Sequence, residues 1–335
     1  MTNATKTLAV LFAGTLVLAV ASTWGGSAPS SAAFQGQLLT VDPSAVQALR
    51  IDRPQAPPVR LTRSADGWTV SPPDTAATYP VRPQSADQLL DRLAGLQVRA
   101  VPTRQPENHP RYGVDSTGAR IALLGDGGEP LGRLVVGRTR MRQPQSRGGQ
   151  TPTQRMQQRR GSPITYVRVP DRPDVYSVEQ SLRSVAQRSI DDWRDARLWA
   201  VDRSTIQQID FSFPGDSSFT MRRAAPADTA SAVGPSTWVS EGDTLSSTAV
   251  SPLLRTLAAP EADGFVEAAP ADGLDPGRYN IQVHLRDGSR RTLHLRPSPD
   301  GTYRATSEEV DFVARLQGGR WDDLLRGREA LLPAD

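Results

Sequence analysis

Apolar positions alternate with polar ones along two stretches of this chain that repeat each other at a fixed offset. Leu38 to Ile51 aligns without a gap on Leu198 to Phe211, and the same shift of 160 residues carries Val59–Arg63 onto Phe219–Arg223. After a longer loop in the second copy Trp68 meets Trp238, and Leu89, Leu90 and Leu93 then match Leu253, Leu254 and Leu257. An alternation of period two predicts strands, and a 3-4 spacing of leucines predicts a helix with one apolar face. In the first copy the strands fall at 46–51, 59–63, 68–70, 98–101, 120–124, 131–136, 164–169 and 175–178. Asp66-Gly67 supplies a hairpin turn before Trp68. Helices are expected at 85–96, with Ser85 as N-cap, and at 179–189. The second copy predicts strands at 205–213, 219–223, 237–240, 265–268, 279–286, 290–296 and near Tyr303. Its helices fall at 247–258, 307–317 and, briefly, 321–326. The reading is α+β: two tandem repeats of a mostly antiparallel sheet with two helices each, residues 34–190 and 191–335.

The pattern changes character before residue 34. Thr7 to Trp24 is uncharged and apolar all round, preceded by Lys6 and followed by a Gly/Ser/Pro/Ala linker from Gly25 to Ala33. About 18 apolar residues is near the lower limit for crossing a bilayer. The single positive charge on its N-side favours a cytoplasmic N-terminus and a body outside the cytoplasm. Residues 1–33 are therefore expected to be an N-terminal transmembrane anchor and linker. A cleaved signal peptide is the competing reading, because Ala19-Val20-Ala21 fits a small-x-small cleavage pattern. One further stretch breaks the pattern. Thr139 to Pro163 carries six arginines with Gln, Gly and Pro and no acid, and it is expected to be a disordered insertion.

Composition narrows the function classes. The 335 residues suit about two domains, and hydrophobic content of 37% with 6% aromatic allows two modest cores. A net charge of only +3 leaves no nucleic-acid footprint. Cysteine is absent, which removes disulfides, thiolate metal sites, covalent haem attachment, a thiol nucleophile and a lipoprotein anchor.

Candidate chemistry is sparse. Asp42 and Asp202 occupy equivalent positions, each followed two residues later by serine, and such a residue most simply caps a turn. A repeated acid is also what a catalytic reading would start from. His109 lies in a Pro-rich loop and reads as a surface turn residue. Folding the hairpin about Gly288 puts Ile281, Val283, Leu285, Leu293 and Leu295 on one face. Gln282, His284, Arg286, Thr292 and His294 then share the other, with the two histidines as diagonal neighbours. No carboxylate on these two strands completes a metal site. The run Asp191-Asp192-Trp193-Arg194-Asp195-Ala196-Arg197 reads as a salt-bridged joint over a buried Trp193. Trp68 and Trp238 read as core anchors, carbohydrate stacking being the alternative. No nucleophile elbow, P-loop, dinucleotide fingerprint or H-E-x-x-H occurs, so no catalytic, cofactor-binding or metal residue is assigned.

A pattern of particular motifs runs through the body: V-D-x-S-x-V-x-x-L-x-I, then L-T-R-x-x-D-G-W-x-V, a Leu-rich helix, R-Y-G-V-D at Arg111–Asp115, and D-W-R-D-x-R-L at Asp192–Leu198. With the apolar N-terminal segment, this resembles the bacterial envelope family catalogued as domain-of-unknown-function family 4340. The resemblance implies a membrane anchor, an extracytoplasmic body and association with gliding-motility-type ABC transporter components. It carries no catalytic residue over. The expectation is a non-enzymatic accessory or scaffold protein of the envelope, at the inner membrane with a periplasmic body. Its expected partners are membrane lipid through the N-terminal helix and membrane proteins of an ABC-type complex, with no nucleic acid. The alternatives are an envelope-polymer hydrolase or ligand-binding protein using Asp42, Asp202 or the Asp191–Asp195 cluster, or a secreted binding module.

Overall fold

The structure is a computed structural model that describes residues 37–73, 76–142, 162–215, 217–224, 237–266 and 278–333. The expected anchor, Thr7–Trp24, lies outside these residues. Among the described residues no helix is long and apolar enough to cross a membrane. The chain divides into two compact units, with the boundary after Trp193, three residues beyond the division at 190 that the sequence suggested.

The first unit contains β1 (Ala48–Arg53), β2 (Ala56–Ser64), β3 (Gly67–Ser71), β4 (Tyr79–Pro80), α1 (Ser85–Ala94), β5 (Val98–Thr103), α2 (His109–Tyr112), β6 (Ala119–Leu124), β7 (Pro130–Arg142), β8 (Ser162–Arg168), β9 (Val175–Val178), α3 (Arg183–Ala186) and α4 (Ile190–Trp193). Its strands form one sheet in the order β4-β3-β2-β1-β6-β7-β8-β9-β5. The second unit contains β10 (Ile206–Ser212), β11 (Phe219–Arg223), β12 (Trp238–Ser240), β13 (Asp243–Thr244), α5 (Ser247–Ala258), β14 (Gly264–Val266), β15 (Tyr279–Leu285), β16 (Arg290–Pro297), β17 (Thr302–Ser307), β18 (Val313–Gln317) and α6 (Gly318–Leu324). Its order is β13-β12-β11-β10-β15-β16-β17-β18-β14, which is the first order with every strand number raised by nine. All the paired strands are antiparallel. The duplication in the sequence is therefore a duplication of topology, and the class is α+β with few helices.

The longest helix of each unit contributes its apolar face to the core of that unit. Leu89, Leu90 and Leu93 of α1 bury against Leu49, Ile51, Val59, Leu61 and Val70. Leu253, Leu254 and Leu257 of α5 bury against Ile209, Phe211, Phe219 and Met221. Val46 and Ile206, aligned in the sequence, are both fully buried in these cores. Each unit also closes with a wholly buried tryptophan after its last strands, Trp193 in α4 and Trp321 in α6. Removing one such leucine or tryptophan from water contributes roughly 1.5–3 kcal/mol or more.

The first sheet is covered on its other face too, by the segment that carries R-Y-G-V-D. Helix α2 ends at Gly113, whose φ of 65° turns the chain back, and Val114 then packs with Val135 and Val175. The Tyr112 and Tyr166 rings meet edge to face at 4.7 Å, and Arg168 Nε donates to the Val114 carbonyl at 3.1 Å. The close approach requires a bare backbone on β7, because a Cβ at Gly137 would lie 2.3 Å from the Tyr112 carbonyl oxygen.

Several expectations are corrected. Residues 307–317 hold no helix: Val313–Gln317 is strand β18, paired with β17 and β14. Its burial alternates, with Ala314 and Leu316 in and Arg315 and Gln317 out, and two flanking ladders outweigh local helix preference. The helix expected at 179–189 contracts to α3. The N-cap of α1 is Gln84 at φ 63°, with Ser85 as the first helical residue. The insertion expected to be disordered over 139–163 has its ends in structure, since β7 runs to Arg142 and β8 starts at Ser162. Its middle, residues 143–161, lies outside the described residues.

Candidate functional site

The residues repeated in both units converge on one corner of each. Asp42 N-caps the 3-10 turn Pro43–Ala45, its carboxylate accepting the Ser44 N–H at 2.9 Å and the Ser44 hydroxyl at 2.8 Å. Asp202 does the same for Arg203–Thr205, accepting the Ser204 N–H at 2.8 Å. The Ser44 and Ser204 backbone N–H groups, then their hydroxyls, hold both carboxyls below the usual aspartate value. The candidate acids are thus ionised capping groups, as their spacing to serine implied.

The same corner uses an arginine to which the sequence reading gave no role. Arg63 Nε donates to the Val46 carbonyl and Arg223 Nε to the Ile206 carbonyl, each at 3.1 Å. Their Nη2 atoms reach the first residue of the turn, Pro43 at 3.4 Å and Arg203 at 3.3 Å. Each guanidinium also sits over a tryptophan, 4.6 Å from the Trp68 ring and 5.5 Å from Trp238. Turn, second strand and tryptophan are therefore locked by one planar cation. The signal that could have found it was arginine recurring at the shared offset. Burial, then the charges of Arg286 and Arg203, lower the pKa of Arg223. Trp68 and Trp238 are core anchors, as expected.

The histidines are arranged differently from the expectation. The hairpin pairs Ile281 with Leu293, and the apolar face is buried as derived. His284 pairs with Arg290, however, and His294 with Asn280, so the two are four residues apart along the ladder and are not diagonal neighbours. Each has its own partner. His294 Nδ1 lies 2.6 Å from Asn280 Oδ1, and His284 Nε2 lies 2.6 Å from Asp210 Oδ2 on β10. Asp210 also accepts from Thr220 Oγ1 at 2.8 Å and Gln208 Nε2 at 2.7 Å. Burial opposes its ionisation, but the hydrogen bonds from Thr220, Gln208 and His284 outweigh it and the carboxyl is lowered. Considering the hairpin alone missed this carboxylate, because it arrives from a third strand. Histidine and aspartate in contact have the parts of a base and its orienter, yet the Thr220 hydroxyl donates to the acid and not to the imidazole. Among the described residues no group of three His, Cys, Asp or Glu side chains is placed to hold a metal ion.

The remaining candidates are structural. His109 Nε2 lies 2.8 Å from the Pro173 carbonyl and ties down the loop before α2. In the charged run, Asp192 accepts the Ser189 N–H and hydroxyl, both at 2.7 Å. Asp195 receives Arg197 in a two-point ion pair, Nε at 3.0 Å and Nη2 at 2.6 Å. Arg194 stacks 3.5 Å over the Phe265 ring, and Trp193 belongs to the core of the first unit.

This is the class the geometry defines: a duplicated antiparallel α+β module whose repeated polar residues serve as caps and clamps. Over residues 157–279, from just before β8 to the start of β15, the chain matches the family model described as Domain of unknown function (DUF4340). The match supports the family resemblance over these residues, which include the D-W-R-D-x-R-L motif at Asp192–Leu198. No curated protein and no solved structure matches the chain.

Proposed function

We propose that this chain is a non-enzymatic accessory or scaffold protein of the bacterial envelope. In this reading Thr7–Trp24 holds it at the inner membrane, its body lies outside the cytoplasm, and its partners are membrane proteins of an ABC-type export or gliding-type complex. The observation that carries the reading is the use made of the repeated acids. Asp42 and Asp202, the residues an enzyme reading needs most, have their carboxylates committed to the N–H groups of Ser44 and Ser204. The apolar N-terminal segment Thr7–Trp24 supports the membrane location in this reading.

Two experiments test it. The full chain expressed with a C-terminal tag is expected to stay with membranes through a high-salt wash and to co-purify membrane proteins after mild detergent extraction. Release by salt would point instead to a secreted or peripheral module. The second is enzymatic. Envelope polymers incubated with wild type and with Asp42→Ala/Asp202→Ala or His284→Ala are expected to remain intact in every case. Cleavage by wild type that disappears in a folded variant would establish the hydrolase reading.

A further inference from the structure

The face of the first sheet turned away from α1 carries a concentration of charge that the fold does not require. Strand alternation puts Arg50 of β1, Arg60 of β2, Arg120 of β6 and Arg133 of β7 on this face, and all four are exposed. Pairing sets them side by side. Arg60 stands directly opposite Arg50, Arg50 opposite Ala122, and Ala122 opposite Arg133. Asp52 is the only acid in these four strands. It faces Arg120 across the β1–β6 ladder, and its carboxylate accepts from Arg50 Nε at 2.9 Å. Four guanidinium groups therefore share the open part of the sheet with one carboxylate.

Like charges directly opposite each other on a sheet are destabilising. The second unit has the same lattice without them. The shared offset of 160 puts Asp210, Thr220, Asn280 and Gln282 at the positions of Arg50, Arg60, Arg120 and Ala122. Thr292 pairs with Gln282 where Arg133 pairs with Ala122. One strand order thus folds with or without the arginines, and the first unit keeps a repulsive arrangement that topology does not ask for. The R-Y-G-V-D cover lies on the neighbouring part of the same face, over Val135 and Val175, and leaves the arginines in solvent. The position of this unit in the chain adds a second observation. The chain enters it at Gln37, which is bridged to Gln97. Residues 25–36 separate Gln37 from the apolar segment Thr7–Trp24, a reach of at most about 40 Å at full extension.

We infer that the arginine face of the first unit docks on the anionic phospholipid surface of the membrane that holds Thr7–Trp24. The inference rests on the anchored reading proposed above, which brings this face to a bilayer. The arginines lie on the adjacent strands β2, β1, β6 and β7, a width of about 14 Å, so they meet several headgroups of a planar array at once. Each guanidinium can take two oxygens of a lipid phosphate. Attraction to the lipid offsets the repulsion between Arg50 and Arg60. The second unit, with an acid and neutral side chains at the same positions, lacks that attraction.

The test uses the full chain, which has no native cysteine. A fluorophore is attached through Ala122→Cys, at the centre of the face, or through Gln282→Cys, the equivalent position in the second unit. The protein is reconstituted with vesicles of phosphatidylcholine, alone or mixed with phosphatidylglycerol, and both contain a lipid with a quencher on its headgroup. Flotation reports attachment, and quenching reports docking. Flotation is expected to be independent of lipid charge and of salt. The Ala122 probe is expected to be quenched in the anionic vesicles alone and released by high salt, and the Gln282 probe to stay bright in both. Arg60→Gln and Arg133→Gln are each expected to lower the ratio of docked to undocked protein about fivefold, the effect of one charge at an anionic surface, with thermal unfolding unchanged. Failure to float with neutral vesicles, together with salt-sensitive flotation and quenching on anionic ones, would remove the anchored reading and leave the docking face standing. The docking inference is overturned if protein that floats with anionic vesicles keeps a bright Ala122 probe. Equal quenching in neutral and anionic vesicles, equal quenching of the two probes, or full docking by both arginine variants overturns it too. An Ala122 probe that responds to a glutamate-rich peptide and not to anionic lipid would also overturn it, and would assign the face to an acidic protein.

Discussion

The two units share a strand order and a helix register, yet they are stabilised differently. The first packs aliphatic residues, Ile51 and Val59, where the second packs Phe211 and Phe219, whose rings stack at 4.4 Å. Phe213 and Tyr279 extend that aromatic cluster along the second sheet. On the opposite faces the contrast is sharper. The first unit has a small apolar cover, Val114 on Val135 and Val175. The second has a polar network of Asp210, His284, Thr220 and Gln208, at positions that align with Arg50, Leu124, Arg60 and Ala48 in the first. Topology therefore tolerates a wholesale change of side-chain chemistry, provided the inward alternation and the corner clamp are kept. The teaching is that a repeat keeps what its sheet and turn geometry demand and varies the rest.

The largest effect expected from breaking this comparison is at the tryptophans. Trp68→Ala and Trp238→Ala should each cost about 3–5 kcal/mol in chemical denaturation. The first should cost more, because Asp87 also loses its donor. Equal losses would mean that the Asp87 bond is inconsequential. Next come the helix leucines. Leu93→Ala and Leu257→Ala, both fully buried, should each lose about 2–5 kcal/mol and differ little from each other. A large gap between them would show that the two helices are not equivalent lids.

Smaller effects sharpen the contrast. Gly137→Ala drives a Cβ against the Tyr112 carbonyl and should cost about 1–3 kcal/mol. Hydrogen exchange should then rise around Val114 while the second unit stays unchanged. Asp87→Ser removes the acceptor of the Trp68 N–H and should cost roughly 1 kcal/mol in the first unit alone. The smallest effect is acid sensitivity. The Asp210 carboxyl is lowered from an unfolded value of 3.8, so its contribution is present above that value and is lost as pH falls through the lower folded one. The first unit has Arg50 at that position. As pH is lowered from neutrality below 3.8, the NMR signal of the folded Trp238 indole is expected to be lost before that of Trp68, and Asp210→Asn should narrow the difference.

Much of this was legible in the chain. Strands β1, β2, β10 and β11 and the helices α1 and α5 were read nearly in place, because each shows its apolar period cleanly. The caps at Asp42 and Asp202 were read from their spacing to serine, since an aspartate reaching the N–H two residues on is a local event. Strand β18 was not legible: Val-Ala-Arg-Leu-Gln suits either period, and only pairing on both sides decides it. The Asp210–His284 contact was not legible either, because its residues are 74 apart and meet only through the β10–β15 ladder.

The sequence by itself determined the duplication, the buried faces and the local turns, because each depends on residues within a few positions of one another or on a repeat visible by alignment. The tertiary structure alone decided the strand order and the partners of the histidines. It also showed that Arg63 and Arg223 clamp their corners, and that Asp87 accepts the Trp68 indole N–H. Those features depend on which distant strands and helices are brought side by side, and hydrophobic period carries no information about that choice.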